Sequence, residues 1–350
     1  MRLEDVIQQE NKMKQLTTGV LLSGAVLIGT TMTAQPALAA DVTLQFANWL
    51  PPFHHWTKTA RRFADSIEKQ SGGKIKIIVT KNSPAKPPGQ YDLAKNGIRD
   101  MVMGVSAYTP GRHQLFRMAE VPFATKNAET GSPGLHKWYT KHGFDKKEFT
   151  GTKLISAFVH GPGLLHSKKE IKSLADIKGV KIRVGGGGVQ IAKSLGGVPV
   201  AMSATKAHES LQRGTTDAAF FPYEAVKGFK LAKLVKHHLE IPGGLYTTPF
   251  YVAMSGKKWD GLPGWAKDAF NKAGGATGSK LIGQGWDAAD RAGKQAAEKA
   301  GNKIQTISAS NQKAWAKALQ SIKAGWIAKA NKKGMNGEAL LSELLTMMKG

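Results

Sequence analysis

Cysteine is absent from all 350 residues, which excludes disulfide staples, thiolate metal sites and cysteine nucleophiles. Acid is scarce. Twenty-five Asp and Glu stand against 50 Lys and Arg, leaving a formal charge of +25. A field of that sign raises encounter rates with anionic partners. It does not locate a site, because the lysines (Lys58, Lys126, Lys178, Lys267, Lys317) are scattered and lack an interleaved aromatic platform. A dedicated nucleic-acid role is therefore not expected. No glycine-rich stretch runs into Gly-Lys-Ser/Thr, so the usual nucleotide-phosphate loop is missing. Past the first 40 residues no apolar run reaches the roughly 20 residues that a membrane-spanning helix needs.

Residues 1–40 read as a secretory signal, with Lys12 and Lys14 ahead of an apolar run from Gly19 to Gly29 and a small-residue motif at Ala37-Leu38-Ala39. Cleavage is expected near Ala39 or Ala40, with delivery to the periplasm. The remainder is long enough for two domains at about 150 residues each.

Beyond the leader, apolar periodicity predicts a strand from Val42 to Phe46 and an amphipathic helix from Thr57 to Lys69, with Ala60, Phe63, Ala64 and Ile67 inward. Ser71-Gly72-Gly73 closes that helix. Lys74 to Val79 reads as a second strand. The pattern continues with a helix over Tyr91 to Asn96 and strands over Met101 to Val105, Lys153 to Val159 and Val180 to Val184. A helix over Val189 to Leu195 and a strand over Ala218 to Phe221 follow. Alternation at this spacing predicts an α/β protein with mainly parallel sheets, whose ligands sit at the carboxyl ends of strands.

Arg183 ends one of these strands. A guanidinium offers a planar fork that matches a carboxylate, and it stays charged at any physiological pH. On position alone it serves equally well as a ligand anchor or in a surface ion pair with Asp176 or Glu209. Gly185 to Gly188 offers either an anion nest or a plain turn. Tyr108, Phe221 and Tyr223 lie at or just past strand ends, His160 ends another strand, and each suits either a ligand wall or the core. Trp49, Phe53, His54, His55 and Trp56 flank the Pro51-Pro52 turn, where stacking and simple packing are both open. His54-His55 and His237-His238 read as solvated rather than metal-binding, because adjacent strand residues point to opposite faces. Ser156, Ser167 and Ser203 lack nucleophile-elbow surroundings, and no Glu/Asp pair suggests acid–base work, so no enzyme and no cofactor are expected.

The stretch Leu174-Ala-Asp-Ile-Lys-Gly-Val-Lys-Ile-Arg-Val-Gly, followed by Leu195-Gly-Gly-Val-Pro-Val and Glu209-Ser-Leu-Gln-Arg-Gly-Thr-Thr-Asp217, resembles the solute-binding proteins of TRAP (tripartite ATP-independent periplasmic) transporters, the DctP-like family. Ser71-Gly-Gly-Lys-Ile-Lys, Tyr108-Thr-Pro-Gly-Arg112, Val121-Pro-Phe123, His160-Gly-Pro-Gly163 and Trp259-Asp-Gly-Leu-Pro263 extend the likeness over nearly all of the chain past the leader. The resemblance implies a two-lobed periplasmic-binding-protein fold of type II kind, hinged, with a long helix spanning both lobes. Residues 41–163 plus 247–285 would form one lobe and 164–246 plus 286–350 the other. It also implies that Arg183 grips a carboxylate. Gly163 replaces a second arginine of sialic-acid-binding relatives and Phe221 replaces a polar residue, which disfavours a sugar acid. The expected function is capture of an aromatic or branched monocarboxylate, a 2-oxo acid or a C4 dicarboxylate by a monomer that delivers it to small and large permease subunits. A secreted enzyme on an anionic substrate and a basic polyanion or membrane-surface binder are the competing classes.

Overall fold

The computed structural model describes residues 40–350, so the expected signal segment lies outside the described residues except for Ala40. The first half of the chain runs β1 (Val42–Ala47), α1 (His55–Gln70), β2 (Ile75–Val79), β3 (Met101–Val105), α2 (Ala128–Lys141), β4 (Thr152–Val159) and β5 (Leu164–Ser167). Next come β6 (Lys181–Val184), α3 (Gly188–Ser194), β7 (Val198–Ala201), β8 (Ala218–Phe221), α4 (Glu224–Gly228), β9 (His237–Glu240) and β10 (Pro249–Ser255). The long α5 (Gly275–Lys299), β11 (Lys303–Thr306), α6 (Gln320–Asn331) and α7 (Gly337–Lys349) complete it, with short helices between.

The strands form two sheets, ordered β2-β1-β3-β10-β4 and β11-β9-β5-β8-β6-β7. The α/β class and the mainly parallel arrangement are as expected, with two strands as exceptions. β10 runs antiparallel to both β3 and β4, and β5 antiparallel to both β8 and β9. The reason is topological. β5 and β10 each arrive from the opposite sheet, and they enter where their neighbours end: Pro249 faces Val159, and Leu164 faces Phe221. The two crossing segments, 160–163 and 241–248, lie side by side. Gly163 N donates to Tyr246 O at 2.8 Å, Leu245 N to Gly163 O at 2.8 Å, and Thr247 Oγ1 to His160 O at 2.7 Å.

α1 forms where periodicity placed it, two residues longer at its start and one at its end. His54 caps it by accepting from Trp56 N, and Trp56, Thr59, Ala60, Phe63, Ala64 and Ile67 make one buried stripe. Gly72 and Gly73, at φ 62° and 83°, end it in a conformation that side chains resist.

A third link between the sheets is α5, whose 25 residues span about 37 Å at 1.5 Å each. It packs on α2 and β4 at one end and on α4 at the other. Glycine makes both approaches possible: a Cβ on Gly283 would overlap the Ala128 backbone, and one on Gly293 the Tyr223 carbonyl. Two α5 carboxylates then cap the helices they meet. Asp287 accepts from Ala128 N and Glu129 N at 2.7 and 2.9 Å, and Asp290 accepts from Glu224 N at 2.7 Å. Each carboxylate meets the positive end of a helix.

Trp315 and Leu319 join the core under the second sheet. The following stretch does not stay with them, although 286–350 was expected there as a unit. Trp326, Ala330, Leu340, Leu341, Leu344 and Met348 pack with Val102, Leu135 and Trp138 against the first sheet. A Cβ on Gly134 would overlap the Met347 carbonyl, so α7 seats directly on α2.

Candidate ligand-binding cleft

Arg183 sits in β6 between Ile182 and Val184, both fully buried, and is itself 2 % exposed. Nη2 donates to Met202 O at 2.8 Å and Nη1 to Phe220 O at 3.3 Å, while Nε has no partner. Its Cζ lies 4.0 Å from the centre of the Phe221 ring. The carboxylates that a surface ion pair would have used are engaged elsewhere. Asp176 closes a capping box with Ser173, and Glu209 pairs with Arg213 and Lys206. Among the described residues no carboxylate pairs with Arg183. Burial pushes its pKa down, opposed by Tyr108, Tyr246 and Glu224, yet a guanidinium remains protonated in the physiological range. A buried, unpaired cation of this kind is costly unless an anion completes it.

A partly open cavity lies beside it. Trp49, Val105 and Tyr108 come from the first sheet's carboxyl edge, and Arg183, Phe221 and Glu224 from the second's. His160, Tyr246 and Phe250 come from the crossing segments and the start of β10, and Trp286 from α5. Trp49 Nε1 donates to Met103 O at 2.9 Å, and its ring meets Tyr108 edge-on at 6.4 Å. Tyr108 reaches across the cleft, its hydroxyl accepting from Ala204 N at 2.8 Å. His160 is buried with Nδ1 2.6 Å from Gly161 O, and burial lowers its pKa to about 4. It is therefore neutral, with Nδ1 donating to that carbonyl.

Trp49, Tyr108, His160, Arg183, Phe221 and His54 thus come together as the sequence suggested. Tyr223 and Phe53 do not. The chain turns at Pro222, so Tyr223 becomes the residue before α4 and packs on His166 and His238, at 5.5 and 5.7 Å between ring centres. Phe53 swings out after Pro51-Pro52, is 60 % exposed and lies under Lys230 at 4.6 Å. Tyr246, Phe250, Trp286 and Glu224 were not anticipated.

The histidine pairs also depart from the solvated reading. His54 is buried because it caps a helix rather than lying on a strand, and His238 is buried because it faces inward on β9, Nδ1 to Nδ1 at 2.6 Å from His166. His54, His55 and Glu224 bring potential metal-ligand atoms within 4.8 Å of one another. The cap argues against a cation there. His54 Nδ1 accepts from Trp56 N at 3.2 Å, so the ring proton resides on Nε2, the nitrogen 3.1 Å from Glu224 Oε2. That nitrogen carries the hydrogen and has no lone pair free for a metal, although it makes no hydrogen bond.

Glycines set the cleft's closeness. A Cβ on Gly186 would overlap the Ala107 carbonyl across the cleft, whereas one on Gly185 would stand 4.0 Å from the Tyr108 ring. The 185–188 turn lets the two walls meet, with α3 beginning at Gly188. A Cβ on Gly163 would strike the Tyr246 ring, so a larger residue does not fit there beside this tyrosine.

Two sheets joined by two crossing segments and one long helix, with a guanidinium buried between them, define a two-lobed solute receptor. The chain belongs to the bacterial extracellular solute-binding protein family 7, the DctP family, whose model matches residues 46–329. Among solved structures it is similar to a TRAP periplasmic solute-binding protein of Bordetella bronchiseptica with bound (R)- and (S)-mandelate. That match has TM-score 0.84 and 29 % identity, and covers 88 % of this chain and 98 % of that one. A TRAP solute-binding protein of Rhodoferax ferrireducens in complex with benzoate is similar at TM-score 0.82 and 30 % identity, covering 88 % and 97 %. The C4-dicarboxylate-binding periplasmic protein DctP of Rhodobacter capsulatus is 24 % identical over 68 % of this chain and 72 % of its own. The chain is accordingly a TRAP-type solute-binding receptor for small organic carboxylates, of a periplasmic family that works with membrane permease subunits. Among the described residues no helix is long and apolar enough to cross a membrane.

Proposed function

We propose that this receptor captures an aromatic monocarboxylate, fixes its carboxylate on Arg183, and releases it unchanged to the permease. The observation that carries the reading is the buried guanidinium with no carboxylate among the described residues to neutralise it. The walls supply the rest. Trp49, Tyr108, Phe221, Phe250 and Trp286 offer ring faces and edges around the anchor. Arg183 is the one Lys or Arg among the lining residues, and Glu224 stands in the same wall. A second carboxylate would meet that acid without a counterion, which disfavours a C4 dicarboxylate. The relatives bound to mandelate and benzoate point the same way.

The lobes proposed are those built on the two sheets, hinged at 160–163 and 241–248, with α5 as the strut. Closure draws its energy from contacts made only when the lobes meet. The receptor acts as a monomer without catalytic turnover, after removal of its leader near Ala39 or Ala40. A thermal-shift screen tests the ligand class, because a ligand at 100 times its Kd stabilises by about 2.7 kcal/mol. Benzoate and mandelate should shift Tm, and succinate and pyruvate should not. Shifts with succinate alone, or conversion of any acid by the purified protein, would overturn the reading.

A further inference from the structure

Glu224 has no part in gripping a carboxylate, yet it is buried in the cavity wall at 4 % exposure. Its Oε2 lies 3.1 Å from His54 Nε2 and 3.5 Å from His55 Nε2. Its backbone N–H is fixed by Asp290 Oδ1 at 2.7 Å, which locks the start of α4 against α5. The helix cap settles where the histidine's proton sits: Nδ1 receives the Trp56 N–H, so Nε2 carries the hydrogen, although neither it nor Glu224 Oε2 makes a hydrogen bond. His55 is kept neutral by burial and by His54 beside it, and neither of its ring nitrogens has a hydrogen-bond partner. Glu224 Oε2 is buried without a hydrogen-bond partner. A carboxylate has about four acceptor positions, and leaving them unfilled at a buried site is expensive.

We propose that Glu224, oriented by His54, is a second recognition point that accepts a hydrogen bond from a hydroxyl carried by the aromatic carboxylate whose acid group sits on Arg183. The proposal rests on the Arg183 reading and narrows it to hydroxylated aromatic acids. The two poles differ in sign and therefore orient the ligand: a carboxylate is drawn to Arg183 and repelled by Glu224, and a hydroxyl does the reverse. Hydrogen bonds to charged groups are stronger than neutral ones, so the selectivity should be large. Here His54 is a positioning residue, its Nε2–H standing 3.1 Å from Oε2 without bonding it, so that the carboxylate stays free to accept from the ligand.

Calorimetric titration with 3- and 4-hydroxybenzoate, the matching fluorobenzoates and benzoate tests this. Fluorine keeps the ring and the acid but cannot donate. The wild type should prefer at least one hydroxybenzoate over its fluoro counterpart by about tenfold or more, the range expected of a charged hydrogen bond. In Glu224→Gln that preference should fall at least fivefold, with an unchanged circular-dichroism spectrum reporting an intact fold. His54→Asn retains a side chain able to cap α1 but removes the steering proton, and should lower the same ratio. If Glu224→Gln fails to fold, the His54→Asn ratio decides. Equal binding of hydroxy and fluoro acids by the wild type, or a preference that survives both substitutions, overturns the proposal. Failure of the underlying reading looks different: benzoate itself would not bind, or Arg183→Met would leave its affinity unchanged.

Discussion

Replacing Arg183 by methionine should move binding and stability in opposite directions. In the complex the guanidinium and the ligand carboxylate form a buried pair, and removing one partner of such a pair costs about 3–5 kcal/mol. At 1.4 kcal/mol per decade, this is a loss of roughly two to three and a half powers of ten in Kd. Without ligand the balance reverses. The buried cation has only the Met202 and Phe220 carbonyls as acceptors and an unpartnered Nε. Its desolvation costs several kcal/mol, which the two charged hydrogen bonds, at about 1.5–3 kcal/mol each, do no more than offset. Methionine fills similar space with no charge to desolvate, so the ligand-free Tm should be unchanged or raised. Calorimetric titration with the ligand found in the screen, together with scanning calorimetry of the free protein, measures both. A change in Kd below threefold would refute the anchoring role. A large fall in ligand-free Tm would show that Arg183 serves the fold.

The remaining predictions address closure and acid stability. Gly186→Ala puts a methyl into the Ala107 carbonyl, and should weaken binding more than tenfold and leave the ligand-saturated protein expanded in solution scattering, whereas Gly185→Ala, with room at 4.0 Å, should stay within threefold. Equal effects of the two would mean that the cleft does not close on that turn. His113 is buried among Tyr91, Phe149 and Tyr251, neither ring nitrogen is satisfied, and burial, then Arg112, lowers its pKa to about 3. Because the folded value lies below the ordinary 6.5, the unfolded chain takes up a proton that the folded protein refuses, and stability falls as pH drops from 6.5 towards 3. His113→Phe removes that penalty, so its stabilisation should be about 2 kcal/mol larger at pH 5 than at pH 7.5. Urea titrations giving the same difference from wild type at both pH values would rule this out.

What the sequence disclosed follows a physical rule. Information carried by local period was legible: the stripe of α1, the strand ending at Arg183, and the α/β alternation all depend on neighbours within a few residues. The reversed direction of β5 and β10 was not, because they take their orientation from which sheet the chain has just left, and no short window contains that. The same division runs through the cleft. Phe221 and Tyr223 are two apart, and strand periodicity would put them on one face. Pro222 ends the strand between them and α4 begins, so one faces the guanidinium and the other the His166–His238 pair. Glu224 was hidden for a related reason, since an acid in the first turn of a helix already has an ordinary explanation in the helix dipole. Only the arrival of His54 from another lobe makes it unusual. Trp286 had the spacing of a core residue and is one, but α5 carries that core into the space between the sheets. The glycines of α5 were the available clue. Gly283 and Gly293 are poor helix formers, each costing about 1 kcal/mol against alanine. A helix that retains them near both ends is one pressed against backbone at both ends, as a strut between two lobes must be.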